Sequence, residues 1–204
     1  TRWAAVGDSL GRVLAAAGAQ VSREFYVNDR GNQMDLFGAS LRAAALGKPR
    51  PEDGYHGEYI EDLAKEIVKS NPKFTELAES ESISAFTQAG YKLQLDQQRK
   101  VLDNFGTHFD TWFSERSLYE NDFFNHSLDK LKKQGHVYEQ EGAIWLRTTD
   151  FGDDKDRVMI KSDGTFAYFA SDSAYYVSKK ERGFNLCIYM LGADHHGYVG
   201  RIKA

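Results

Sequence analysis

Apolar positions along the chain follow two periods, and their succession predicts a mixed α/β fold. Trp3, Val6, Leu10, Val13, Leu14 and Ala17 recur at helical spacing, which predicts a helix over 3–18 with one apolar stripe, closed by Gly18. Val21 to Val27 predicts a strand, turned by Asn28-Asp29-Arg30-Gly31. Helical spacing returns over 32–46 through Met34, Phe37, Leu41 and Ala45. Helix, strand, helix in this order is half of a doubly wound parallel unit whose first strand is missing.

From Gly47 to about Gly90 the composition shifts. All three prolines (Pro49, Pro51, Pro72) lie here, beside acidic helical stretches such as Glu58 to Lys69. Tyr59, Ile60, Leu63, Ile67 and Val68 still make an apolar face. The segment 47–90 is therefore expected to be a mostly helical, peripheral insertion with less burial than its flanks. Leu95, Val101, Leu102 and Phe105 predict the inward side of a longer helix stopped by Gly106. A strand over 109–114 and a helix over 122–134 follow. Short strands are predicted over 137–139, 143–147 and 157–161, turned by Glu141-Gly142 and the acidic loop 152–156. Asp163-Gly164-Thr165 is expected to cap a helix that runs to Arg182, with Lys179, Lys180 and Arg182 suiting the negative end of its dipole. Asn185 to Leu191 is a continuous apolar run, the pattern of a central strand buried on both faces of a parallel sheet.

Composition narrows the class. Of 204 residues, 41% are hydrophobic and 13% aromatic, enough for a packed core and against disorder. The formal net charge of -4 argues against a chain that coats nucleic acid. Charge is uneven, with 19 acidic against 11 basic residues over 51–150 and 11 against 15 in the flanks together. That distribution suits a solvated insertion within a domain that meets polyanions. Cys187 stands alone within the apolar run, so it reads as core packing in a reducing cytoplasm. No apolar run approaches the ~20 residues that span a bilayer. The chain opens at Thr1 without an initiator Met and ends at Ala204 inside a helical pattern, so both ends read as cut.

Four groups of residues carry candidate chemistry. Gly192-Ala193-Asp194-His195-His196-Gly197 follows the apolar run and precedes a helix, the crevice where α/β sheets bind nucleotides. Gly192 would let a ligand approach the backbone, and His195 and His196 offer neutral donors and acceptors. Asp-His-His is rich in metal ligands, but no further ligand cluster accompanies it and no metal site is assigned. Tyr168 and Asp172 are spaced i, i+4 and share one face of a helical turn. There a carboxylate and a phenol can hold a planar cation, although an exposed helix surface would look the same. Tyr26 to Gln33 is a polar cluster at a strand's C-terminal end, where turn chemistry also favours Asn, Asp and Gly. Ser114 to Tyr119 stands just past another strand, and its Glu115 could bind a cation or pair with Arg116.

In chain order, Trp3-Ala4-Ala5-Val6-Gly7-Asp8, Tyr26 to Gln33, Phe151-Gly152-Asp153-Asp154-Lys155-Asp156-Arg157, Lys161-Ser162-Asp163-Gly164 with Tyr168 and Asp172, and Gly192 to Gly197 together resemble the bacterial class I arginyl-tRNA synthetases over essentially the whole chain. The resemblance implies a Rossmann-like doubly wound parallel sheet and a partial catalytic domain over 1–204. It implies arginine activation with ATP, accompanied by Mg2+, to arginyl-adenylate, and then transfer to tRNA(Arg). By carry-over, Tyr168 and Asp172 would hold the guanidinium and Glu115 would lie near bound L-arginine. Asn28, Asp29 and Gln33 would line the amino-acid side. Gly192, Asp194, His195 and His196 would line the ATP side, with His195 also able to touch arginine. Such catalysis works by positioning and charge stabilisation, without a covalent enzyme intermediate. The family's HIGH-type and KMSKS-type ATP signatures, its N-terminal tRNA-binding domain and its anticodon-binding bundle lie outside this sequence, so the chain alone is not expected to charge tRNA. The parent is expected to be a monomer without membrane association. The alternatives are another nucleotidylyl transferase or class I synthetase, and a non-catalytic nucleotide-binding fragment or paralogue.

Overall fold

The computed structural model describes residues 2–204, apart from the side chain of Asp194. The chain divides into two compact units, one formed by 1–27 with 111–204 and the other by 28–110.

The first unit opens with helix α1 (Arg2–Ala16) and strand β1 (Glu24–Val27), and resumes with β2 (Thr111–Ser114). β1 and β2 pair in parallel, with Glu24 opposite Thr111 and Val27 opposite Ser114. Helices α5 (Arg116–Glu120) and α6 (Phe123–Lys133) follow. An antiparallel sheet then forms from β3 (Val137–Gln140), β4 (Ala143–Leu146) and β5 (Arg157–Ile160). Its first hairpin turns at Glu141 and Gly142, both at positive φ (53° and 74°), the geometry of a tight two-residue loop. Helix α7 (Tyr168–Glu181) packs against α6 and β5, and short α8 (Val199–Lys203) ends the described chain. Leu118, Phe124, Leu146, Met159, Ala170, Ala174 and Tyr175 form the core of this unit.

The second unit is helical, with α2 (Asn32–Ala45), α3 (Glu58–Ser70) and α4 (Glu79–Asn104) around Phe37, Leu41, Ile60, Leu63, Ala64, Ile67 and Phe86. Two glycines let α2 and α4 approach closely. A Cβ on Gly38 would stand 1.9 Å from Thr87 Oγ1, and one on Gly90 would stand 2.3 Å from a Leu41 methyl.

Several expectations change. The helical unit runs over 28–110 and is wider than 47–90. Ile60, Leu63, Ile67 and Phe86 are among its fully buried side chains, so the expected sparse burial is not observed. Acidic positions lie on the outer side of an amphipathic helix, and composition alone cannot distinguish that from a solvated loop. Val101 on α4 and Phe105 just past its end are exposed, while Phe86 supplies the helix's buried contact about four to five turns nearer the N-terminus. The stripe of α1 is also open to solvent at Trp3, Val6 and Val13. The side that docks is polar, because Gly11 is buried against the Arg23 guanidinium and Asp8 lies between Arg12 and Arg23 (3.4 Å). An apolar stripe is buried only where an apolar surface faces it.

The run 185–191 forms no strand. Central strands need hydrogen-bonded neighbours, and here β1 and β2 pair only with each other among the described residues. Leu186 is 73% exposed and Ile188 is also exposed, while Tyr189 packs toward α7, leaving Cys187 half-buried rather than in the core. Asp163 does not cap α7 either. Its carboxylate accepts from the Thr165 N–H (2.9 Å) and hydroxyl (2.6 Å), closing a turn three residues before the helix starts.

Candidate functional site

Helix α7 carries the predicted cation-binding pair in its first two turns. Tyr168 is its first residue and is 85% exposed, with its ring open to solvent. Asp172, one turn later, is half-buried. Burial pushes its carboxyl up, and the charges of Arg201 and His195 offset this in part. Asp172 is thus brought within electrostatic reach of the turn that carries His195.

That turn is built differently from the expected loop-to-helix junction. Gly192 is extended (φ −71°, ψ 162°), a conformation open to any residue, and a 3-10 segment over Ala193–Tyr198 separates it from α8. The His195 N–H donates to the Gly192 carbonyl (3.0 Å), and the ring meets Tyr198 edge-on at 6.1 Å. His196 is exposed, and the Asp194 side chain lies outside the described residues. The Arg201 guanidinium stacks over Tyr198 at 4.8 Å, with its buried Nε unbonded among the described residues.

Glu115 follows β2 directly, half-buried, and its N–H donates to the Val27 carbonyl (3.0 Å), which extends the parallel ladder by one rung. Asn28, Asp29 and Gln33 belong to the helical unit. Asn28 is exposed. Asp29 is 3% exposed and accepts a hydrogen bond from the Tyr91 hydroxyl (3.1 Å), and Gln33 accepts one from Tyr55 (2.7 Å). A cleft of about 630 Å³ between the α2 and α3 ends, lined by Ala44, Lys48, Arg50, Ala64, Lys65 and Lys69 among others, contains none of the predicted site residues.

The motif 151–157 has a structural explanation. Arg157 is buried and forks onto Asp153 (2.7 and 2.8 Å), with a further contact to Asp154. These bonds hold the Asp153 carboxyl far below its usual range. Asp156 accepts from Thr149 (2.7 Å) and Tyr138 (2.9 Å), and the Thr148 hydroxyl donates to the Lys155 carbonyl (2.7 Å). The loop is therefore tied shut by its own charges.

Sequence reasoning missed the lower half of α7. The buried Tyr175 hydroxyl donates to Glu24, and Arg182 grips the same carboxylate at 2.6 and 3.3 Å. The Lys179 ammonium lies between the Tyr175 and Tyr189 rings (3.8 and 3.9 Å), and burial pushes its pKa down to about 8. A signal was present, since Tyr168, Asp172, Tyr175, Lys179 and Arg182 recur at i+4, i+7, i+11 and i+14 along one helix face.

The family described as tRNA synthetases class I (R), catalytic domain, matches residues 1–203. An arginine–tRNA ligase from Renibacterium salmoninarum is 54% identical over the whole chain, and one from Frankia alni is 52% identical. The chain spans 37% of the length of each. Among solved structures, a protein from Campylobacter jejuni provisionally named an arginyl-tRNA synthetase is similar over 98% of this chain and 45% of its own, with TM-score 0.86 and 40% identity. Arginyl-tRNA synthetase from Thermus thermophilus shares the fold at 23% identity, with TM-score 0.57 over 84% of this chain and 31% of its own. The fold is accordingly the Rossmann-like α/β core of these enzymes, and the chain belongs to the arginine-type class I tRNA synthetase catalytic-domain family.

Proposed function

We propose that the chain is the amino-acid-facing part of an arginine–tRNA ligase that acts as a cytoplasmic monomer, with its helical unit an insertion between two strands of the catalytic core. The observation that carries this reading is the placement of the Asp172 carboxylate within electrostatic reach of the His195 turn. A half-buried carboxylate suited to a guanidinium stands within electrostatic reach of a glycine-led turn suited to a nucleotide. Asp172 would receive the arginine guanidinium as a charge-assisted fork, with the Tyr168 ring beside it. Glu115, just past β2, would orient the rest of the amino acid. Gly192, Asp194, His195 and His196 would border the adenosine of ATP, which enters as its Mg2+ complex.

The reaction needs no group of the chain to bond covalently to substrate. The arginine carboxylate attacks the α-phosphorus of ATP in line, and pyrophosphate leaves with the electrons of the broken P–O bond. A terminal ribose hydroxyl of tRNA(Arg) then attacks the adenylate carbonyl, its proton is released, and AMP departs. The protein contributes orientation and a fixed field, which together supply most of the acceleration in such transfers. A helix holds its side chains at fixed spacing, which suits α7 to orientation.

The test is amino-acid-dependent exchange of labelled pyrophosphate into ATP by the full-length parent, with tRNA present. Arginine should support exchange, and lysine should not. Exchange supported by another amino acid and not by arginine overturns the reading.

A further inference from the structure

We infer that Glu24, at the start of β1, is a positioning residue for the guanidinium site, acting through Tyr175 and Arg182 to fix the roll and axial register of α7. This inference rests on the proposal that Tyr168 and Asp172 receive arginine. The argument begins with the helix face. Tyr168, Asp172, Tyr175, Lys179 and Arg182 form one stripe, so the two residues offered to substrate and the three that hold the helix are parts of one rigid rod. Tyr175 stands one turn beyond Asp172, about 4.5 Å along the axis at ~1.5 Å per residue. Any rotation or slide at Tyr175 therefore moves the Asp172 carboxylate almost unchanged.

The grip has a defined geometry. Glu24 accepts from the Tyr175 hydroxyl and from both terminal nitrogens of Arg182, at 2.6 and 3.3 Å, so Tyr175 within α7 and Arg182 at its C-terminal cap, seven residues apart, converge on one carboxylate. Two anchors on one rod fix its rotation as well as its height, which a single contact cannot do. The Tyr175 ring is wedged against Phe113 (4.6 Å) and Tyr26 (4.9 Å), which lie on β2 and β1, and this prevents a compensating tilt. Glu24 is itself held in the ladder opposite Thr111, and its side chain is only 13% exposed. Burial alone would push its carboxyl up, but the bonds from Arg182 and Tyr175 outweigh it and keep the carboxyl below its usual range. Glu24 is thus an anion at neutral pH, and the apolar packing in the core of the unit neither requires one nor explains it.

In the full-length ligase, Glu24→Ala should raise the arginine KM in pyrophosphate exchange by about tenfold, while the ATP KM stays within twofold. Glu24→Gln, which can still accept from Tyr175 but lacks the charge for Arg182, should fall between the two. Hydrogen exchange of the full-length ligase provides a second readout, in which Glu24→Gln should speed exchange over 168–181 and leave 28–110 unchanged. A folded Glu24→Ala enzyme with wild-type arginine KM overturns the inference, and so does an equal rise in the two KM values. A wild-type enzyme that shows no arginine-dependent exchange overturns the ligase reading instead. In that case an unchanged exchange pattern over 168–181 would still sink the grip on α7.

Discussion

Replacing Asp172 by Asn tests the guanidinium site most directly. The substitution keeps the side chain's size and one acceptor, and removes its charge. An exposed ion pair contributes at most about 1 kcal/mol, whereas breaking a buried pair costs roughly 3–5 kcal/mol. Asp172 is half-buried, with Arg201 and His195 already offsetting part of its burial, so the loss should fall between these limits, at about 2–3 kcal/mol. That corresponds to a fall of about 30- to 160-fold in kcat/KM for arginine. The assay is pyrophosphate exchange by the full-length ligase with arginine varied at saturating ATP, and then the reverse. ATP dependence should change little. The pH profile provides an independent check. Burial raises the carboxyl, so the ionised form is lost at a higher pH than for an ordinary Asp. On the acid side, kcat/KM for arginine should therefore fall with an apparent pKa above the usual value of about 3.9, and this limb should be absent from the Asn variant. The same sign means that ionised Asp172 opposes folding at neutral pH, so the variant's Tm should not drop. Wild-type arginine kinetics in Asp172→Asn would remove the residue from the site, and a lowered Tm with parallel losses for both substrates would refute the argument from burial.

Three further outcomes are expected. Tyr168→Phe keeps the ring and deletes one hydroxyl, so it should cost arginine kcat/KM only about fivefold, or ~1 kcal/mol, in the same exchange assay. Asp153→Asn leaves the buried Arg157 without its fork and should destabilise the chain by about 3 kcal/mol at pH 7 in urea titrations. The depressed Asp153 carboxyl contributes stability above its unfolded pKa of about 3.9, so the gap between variant and wild type should narrow as pH falls below that value. Gly38→Ala gains ~1 kcal/mol of helix propensity. It also drives a methyl to 1.9 Å from Thr87 Oγ1 and 2.8 Å from the Ile83 carbonyl, and overpacking of that kind costs ~1–3 kcal/mol or more, so thermal denaturation should show a lower Tm.

Local pattern was sufficient wherever the deciding forces were local. The apolar spacing located α2 and α3 to within a few residues, and Glu141-Gly142 announced its hairpin because a two-residue loop needs positive φ, which glycine adopts freely. The motifs around Tyr168, Asp172 and Gly192 indicated the family because their order along the chain is itself information. What depended on distant partners could not be read this way. The run 185–191 has the composition of a central strand, yet a strand exists only where neighbours accept its hydrogen bonds. The stripe of α1 is amphipathic, yet burial depends on what lies across from it, and here Gly11 and Asp8 face Arg23 instead. The acidic segment 47–90 has a solvated composition, yet Phe37 and Leu41 on α2 give it a core, so the compact unit closes at 28–110. The grip of Glu24 on Tyr175 and Arg182 joins residues more than 150 positions apart. Helix period and turn chemistry are properties of a few consecutive residues, whereas pairing, burial and charge compensation belong to surfaces that only the folded chain brings together.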